Sequence, residues 1–402
     1  MRYVIFLALA FFTAQQAVAE KAVVNPTEGL SVLENSFMSN ANRSDAEDLA
    51  LASVSFLRGI EKTLQTRYLT NTGVGSNVMD LPILRLPFAP NPNPDPFDPN
   101  VIAALFTELN HDMERVRASL SDTAFESDDI VEIDLRDLWF DVNDNGKRDW
   151  REDVMDVAGA LLFNAQTTAG SFPQSWPSVI HFDAADAEWL LAYTHLLSSF
   201  SEIVLAFDPT EVLVEVASAA ANMEVIKGPL ASNRFSFLRG EHEFIDTFAI
   251  VYGAINRVPD RKHIATAHAH LLEMISRNRH FWQLVTEETD NSFEWIPNRN
   301  QTAALGFVLP DETQERWLAV LSDAEAVLNG DMLIGHWRTE PGGGINVAKM
   351  ILDPPAVDIV TWIQGYGLLP YMEKGPLVSG ENYGRFMRMF QGDALLFMVL
   401  LN

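Results

Sequence analysis

The chain has 402 residues, with 28 Lys+Arg against 55 Asp+Glu, a formal net charge of −27, no cysteine and 9 tryptophans. A surface of that sign repels phosphate backbones and anionic headgroups, which argues against nucleic-acid binding and polybasic membrane contact. The absence of cysteine excludes disulfides, thiol catalysis and lipid attachment at a cleavage-site cysteine, so core packing must carry the fold.

Residues 1–19 have the three regions of a secretory signal in order. Arg2 supplies the positive end, Val4 to Phe12 is an apolar run too short to span a bilayer, and Ala17-Val18-Ala19 is a small-x-small cleavage site. The expected mature chain, 20–402, is a periplasmic or secreted bacterial protein with no membrane span. Ser44 followed by Glu47 is a capping box, and the helix it opens should run to about Tyr68 with Leu49, Ala52, Val54, Phe56 and Ile60 on one face. A Gly/Asn-rich turn follows at Thr70 to Asn77. Prolines at nearly every second position from Pro87 to Pro99 predict an extended connector, because proline donates no backbone hydrogen bond.

A second helix is expected over Asn100 to Leu120, and the alternation from Ile130 to Leu135 predicts a short strand. A long apolar helix begins near Asp183. His195, Glu202 and its serines mark it as a core helix and not a span. Asp208-Pro209-Thr210-Glu211 opens the next. Further helices are expected at Phe244 to Arg257, His263 to Thr286, Pro310 to Leu328, Val347 to Leu352 and Tyr383 to Leu401. The triple glycine at 342–344 precedes a helix but lacks the Lys-Ser/Thr of a phosphate loop, so a flexible connector is expected there.

Asp141, Asn143, Asn145, Asp149 and Glu152 occupy positions one, three, five, nine and twelve of a twelve-residue loop, with Gly146 at six. Calcium takes six to eight oxygen ligands, and this spacing turns an oxygen inward at alternate positions. The stretch resembles the calcium loop of the EF-hand family. The resemblance implies that Asp141, Asn143, Asn145 and Asp149 ligate through side chains, Lys147 through its carbonyl and Glu152 through both carboxylate oxygens. The flanks complete a helix–loop–helix: Leu135, Leu138 and Trp139 before the loop, then Trp150, Val154, Val157 and Leu161 after it, with Glu152 in the first turn of the exiting helix. One position departs from the family, since Arg148 stands at eight, where an apolar residue usually pairs with a second hand. No second loop occurs. A lone loop of three acids implies weak binding, roughly 10⁻⁴ to 10⁻³ M, suited to a structural ion outside the cytoplasm.

The expected fold is therefore mainly α, a multi-helix domain with a single EF-hand-like helix–loop–helix and an extended Pro-rich connector. The leading functional expectation is an exported, non-enzymatic calcium-binding protein, partnered by another envelope protein or an extracellular ligand. The alternative is a glycan-active hydrolase on an α/α-barrel-like scaffold, which needs two carboxylates in an aromatic-lined cleft. Asp183/Asp186 and Glu241/Glu243 are pairs of the required type, though caps or solvated faces account for them more simply. His263, His268, His270 and Glu273 share one helix, but His263 and His270 stand two turns, about 10 Å, apart, too far for one ion. Glu294 to Arg299 with Gln301 and Thr302, and Gly335 to Arg338, resemble segments of uncharacterised secreted bacterial proteins. Packing corners are the expected role of their aromatics.

Overall fold

Ser44 caps the first long helix through both arms of its box. Its hydroxyl accepts from the Glu47 amide at 3.3 Å, and its own amide donates to the Glu47 carboxylate at 3.1 Å. The computed structural model describes residues 21–70, 86, 88–121, 125, 129–159, 178–227, 242–390 and 401. The signal segment, the turn after Thr70, Leu161, Glu241 and the side chain of Glu243 lie outside these. The fold is mainly α. Helices α1 (Leu30–Ser39), α2 (Asp45–Leu69) and α3 (Val101–Leu120) are followed by the single turn α4 (Val154–Val157). Then come α5 (Ala184–Ala206), α6 (Thr210–Lys227), α7 (His242–Ile255), α8 (Arg261–Glu287) and α9 (Thr313–Asn329). The short helices α10 (Val347–Leu352), α11 (Ile359–Gln364) and α12 (Glu381–Met389) close the described chain.

The layers follow from which faces are apolar. Leu49, Ala52 and Val54 of α2, Phe106, Leu109 and Met113 of α3, Leu197 of α5 and Phe281 and Trp282 of α8 join one hydrocarbon core. The α5–α8 interface is the most extensive, followed by α3–α5 and α2–α3. Among the described residues α5 alone is long and apolar enough to cross a membrane, but its most apolar window is 56% buried within the protein. Such burial is that of a core helix.

A three-stranded sheet packs against α2. Strand β2 (Ile130–Asp134) pairs in parallel with β1 (Lys21–Val24) and antiparallel with β3 (Val179–Phe182). Ala22, Val24, Val131, Ile133 and Ile180 are its buried face. A second small sheet joins β4 (Ile334–Gly335), β5 (Gly344–Ile345) and β6 (Met372–Glu373).

Three expectations need correction. No helix enters the 141–152 loop: Leu135 to Asp137 form a turn, and Trp139 bridges Asp153 antiparallel. Leu135, Leu138, Trp139, Phe140 and Val142 are all buried, so five apolar side chains in eight positions point in more directions than one helical stripe provides. Up to Ala158 the exiting helix is the single turn α4, and Glu152 stands before its Asp153 N-cap; Trp150 is 78% exposed and no part of a helical face. The triple glycine is no flexible connector. A Cβ at Gly343 would meet the Glu373 carbonyl oxygen at 2.1 Å, and one at Gly344 the Ile334 oxygen at 2.3 Å. Only glycine lets β5 lie between its two neighbours so closely. The described part of the Pro-rich segment, 88–99, forms no helix, and its Asp95 amide donates to the Leu69 carbonyl at 2.8 Å.

Candidate cation site in the 141–152 loop

The loop is held shut at its base and turned inward along its length. Phe140 N–H donates to the Glu152 carbonyl at 2.8 Å and Val154 N–H to the Leu138 carbonyl at 3.0 Å, which closes the base as a short antiparallel pair. Trp139, fully buried, donates its indole N–H to the Pro26 carbonyl at 2.9 Å and so pins the base beside β1. From α2, Gln65 donates to the Asp141 carbonyl at 2.8 Å. Arg148 bridges Asp153 and donates to the Arg136 carbonyl, so the residue at position eight clamps the hairpin.

The side chains at alternate positions are bonded within the loop, Asp141 and Glu152 to backbone amides and Asn143 and Asn145 to Asp149. Asp141 accepts from the amides of Asn145 at 2.9 Å and Gly146 at 2.8 Å. Gly146 has φ +72°, the left-handed turn that brings its amide round to that carboxylate. Asp149 accepts from the side-chain amides of Asn143 at 2.9 Å and Asn145 at 2.7 Å, and these bonds hold its carboxyl below the usual range. Glu152, 4% exposed, accepts from the amides of Val142 at 3.1 Å, Asn143 at 3.3 Å and Asp149 at 2.7 Å. Burial nonetheless pushes its carboxyl up, and the charges of Asp141 and Asp149 add to that. Lys147 is exposed; its amide donates to the Asn145 side-chain oxygen at 2.8 Å.

These donors fit a hard cation: every inward group carries oxygen, and none carries sulfur or imidazole nitrogen. Asparagines stand between the acids. Among the described residues no three His, Cys, Asp or Glu side chains form a group able to hold a metal ion, so amide and carbonyl oxygens would have to complete any shell. Glu61 of α2, beside Ile60 and without any signal of its own in the sequence, abuts the loop at Asp141. It is 1% exposed and pairs with Arg58, while its Oε2 has no partner; burial pushes its carboxyl up to about 7.

A second acidic group sits where β3 runs into α5. Asp183 and Asp186 form a capping box, with Asp183 accepting from Ala185 N–H at 2.8 Å and Asp186 from Asp183 N–H at 3.2 Å. The loop after α8 brings in Glu288, bound by Gln301 at 3.0 Å, and Glu294, bound by Ser292 N–H at 2.6 Å. Burial and mutual repulsion raise all four carboxyls, Asp186 strongly and Glu288 to about 8. Trp295 packs against Trp189 and Phe182 nearby, as a packing corner. In the sequence the Asp183/Asp186 pair reads as a cap or a solvated face; nothing local ties Glu288 and Glu294, about 100 residues away, to it.

The histidines of α8 part company. His263 contacts Glu202 at 2.6 Å, His268 the Leu328 carbonyl at 3.0 Å and His270 the ring of His195 at 2.8 Å, so no shared ion site forms. Between Gly335 and Arg338, the Arg338 guanidinium lies 4.0 Å over the Trp337 ring, and His336 is buried.

No protein-family model, no curated protein and no solved structure matches the chain.

Proposed function

We propose that the chain is an exported calcium-binding protein whose 141–152 loop holds one Ca²⁺ ion as a structural staple. The role is binding or scaffolding in the bacterial envelope, with another envelope protein or an extracellular ligand as partner. One observation carries the reading: the side chains of Asp141, Asn143, Asn145, Asp149 and Glu152 take their hydrogen bonds within the loop, Asp141 and Glu152 from its backbone amides and Asp149 from the two asparagines, above a base fixed by Trp139 and Gln65. The oxygens are thus already drawn into one loop, and the ion has only to replace amide N–H groups as their partner. Glu152 would exchange three N–H bonds for the cation, and Lys147 would offer its carbonyl while its ammonium stays in water.

Thermal unfolding with and without calcium tests this. At ten times its dissociation constant the ion adds about 1.4 kcal/mol. Asp141→Ala and Glu152→Gln each remove that increment. An equal increment in both variants would assign the effect to the acidic surface as a whole.

The raised carboxyls around Asp186 favour a second reading, a glycan-active hydrolase, because a general acid must keep its proton near neutral pH. Turnover of a polysaccharide by the wild type, lost in Asp186→Asn, would replace the first reading with this one.

A further inference from the structure

Helices α5 and α8 run antiparallel and meet in a ladder of polar pairs spaced by seven residues. Glu188, Glu202 and the imidazole between them, His195, face Arg277, His263 and His270. The top rung joins Glu202 to His263 at 2.6 Å, the middle rung joins His195 to His270 at 2.8 Å, and the bottom rung joins Glu188 to Arg277 at 3.2 Å and to His280 at 3.2 Å. Seven residues are close to two helical turns, so one stripe on each helix carries all three rungs. Only the middle rung joins two groups of the same kind. Its contact is Nδ1 to Nδ1, so one nitrogen must donate and the other must be bare.

We propose that this rung is a proton-sensitive latch: a proton taken up by the His195–His270 pair breaks its Nδ1–Nδ1 hydrogen bond, so that α5 and α8 part more readily at their middle as pH falls. The bare nitrogen is the only acceptor in the contact. Once it is protonated, two N–H groups face each other across a distance that only a hydrogen bond permits.

The surroundings oppose that proton. Around His195 stand the cations Arg117 of α3 and Arg277 of α8; burial first, then these charges and His270, hold its imidazole down at about 3. Around His270 stand Arg117, Glu114 of α3, Glu202 of α5 and Glu273 of α8. Burial and Arg117 outweigh the three acids and lower it too. Arg117 is fixed there by the Thr194 carbonyl at 3.1 Å and the Ser198 hydroxyl at 3.0 Å. The outer rungs differ in kind: each sets a histidine against a carboxylate, His263 against Glu202 and His280 against Glu188, so the middle rung alone depends on a bare imidazole nitrogen as acceptor. Helices α9 and α10 pack on α8 as well.

The sign of the linkage follows. A histidine whose folded pKa is depressed is protonated first in the opened chain, near its ordinary 6.5, so closure is favoured above that pH and weakened below it. The carboxyls near Asp186 are raised and act oppositely, so the latch is read as a difference between wild type and a variant in which only the imidazoles are replaced.

Native-state hydrogen exchange on the whole protein measures it. Between pH 7.5 and 5, after correction for intrinsic exchange, protection of mid-helix amides in α5 and α8 falls about tenfold in the wild type, a figure reduced from the full linkage for partial solvent screening. The same amides in His195→Asn/His270→Asn keep their protection. Parallel pH curves for the two proteins would overturn the proposal. If the double variant does not fold, wild-type NMR decides: a scalar coupling across the Nδ1–H···Nδ1 bond is expected at pH 7.5, and its absence there would overturn the proposal equally.

Discussion

The 141–152 loop and the α5–α8 seam both gather polar groups in a chain built around hydrocarbon, and they satisfy them by opposite means. In the loop every side-chain partner of Asp141, Asn143, Asp149 and Glu152 lies within ten residues. In the seam Glu202 meets His263 across 61 residues and Glu188 meets Arg277 across 89. The loop has assembled oxygens that an ion can take over. The seam has matched donors to acceptors between two rods, and its middle rung, His195–His270, loses its bond when a proton is added. The loop's bonds are set by its own spacing, whereas the seam depends on the register of both helices.

The largest expected effect strikes the loop's anchor. Trp139→Ala removes a fully buried ring and the bond to Pro26, and should cost about 3–5 kcal/mol in urea-induced unfolding. A cost under 1 kcal/mol would mean that the loop's position does not depend on the core. The acids near β3 sharpen the comparison from a third place. Glu288, pushed up to about 8, is protonated in the folded chain and ionised in the unfolded one between its ordinary value and 8. Stability attached to it is therefore present at low pH and lost as pH rises through that window. Glu288→Gln removes the loss. It should raise stability at pH 8 by about 1 kcal/mol, after discounting for the group's partial exposure, and leave stability at pH 4 nearly unchanged. The smallest effect is at Lys147, whose side chain is exposed. Lys147→Ala should shift calcium affinity by less than about 0.5 kcal/mol, because only its carbonyl is asked to ligate.

The same contrast explains what was legible beforehand. The capping box at Ser44, the strand expected over Ile130 to Leu135 and the core helix after Asp183 are written in local spacing, and the structure has them, the strand as Ile130–Asp134. The alternating oxygens of the loop were equally local. The helix expected before it failed because Leu135, Leu138 and Trp139 match a helical stripe by count, while burial of Phe140 and Val142 as well demands a wrapped chain. The triple glycine pointed to looseness, yet its missing Cβ atoms serve a tight approach of two neighbouring carbonyls. The seam's register left no trace a single helix could show. His263 and His270 share a face, but what faces them is set by how α5 and α8 dock.

Crystallography in millimolar calcium tests the central claim most directly. The account predicts one ion in the loop, with oxygens of Asp141, Asn143, Asn145, the Lys147 carbonyl and both Glu152 oxygens at about 2.3–2.6 Å. Asp149 should reach it directly or through water. A loop without density, its Glu152 still bound to the amides of Val142, Asn143 and Asp149, would contradict it.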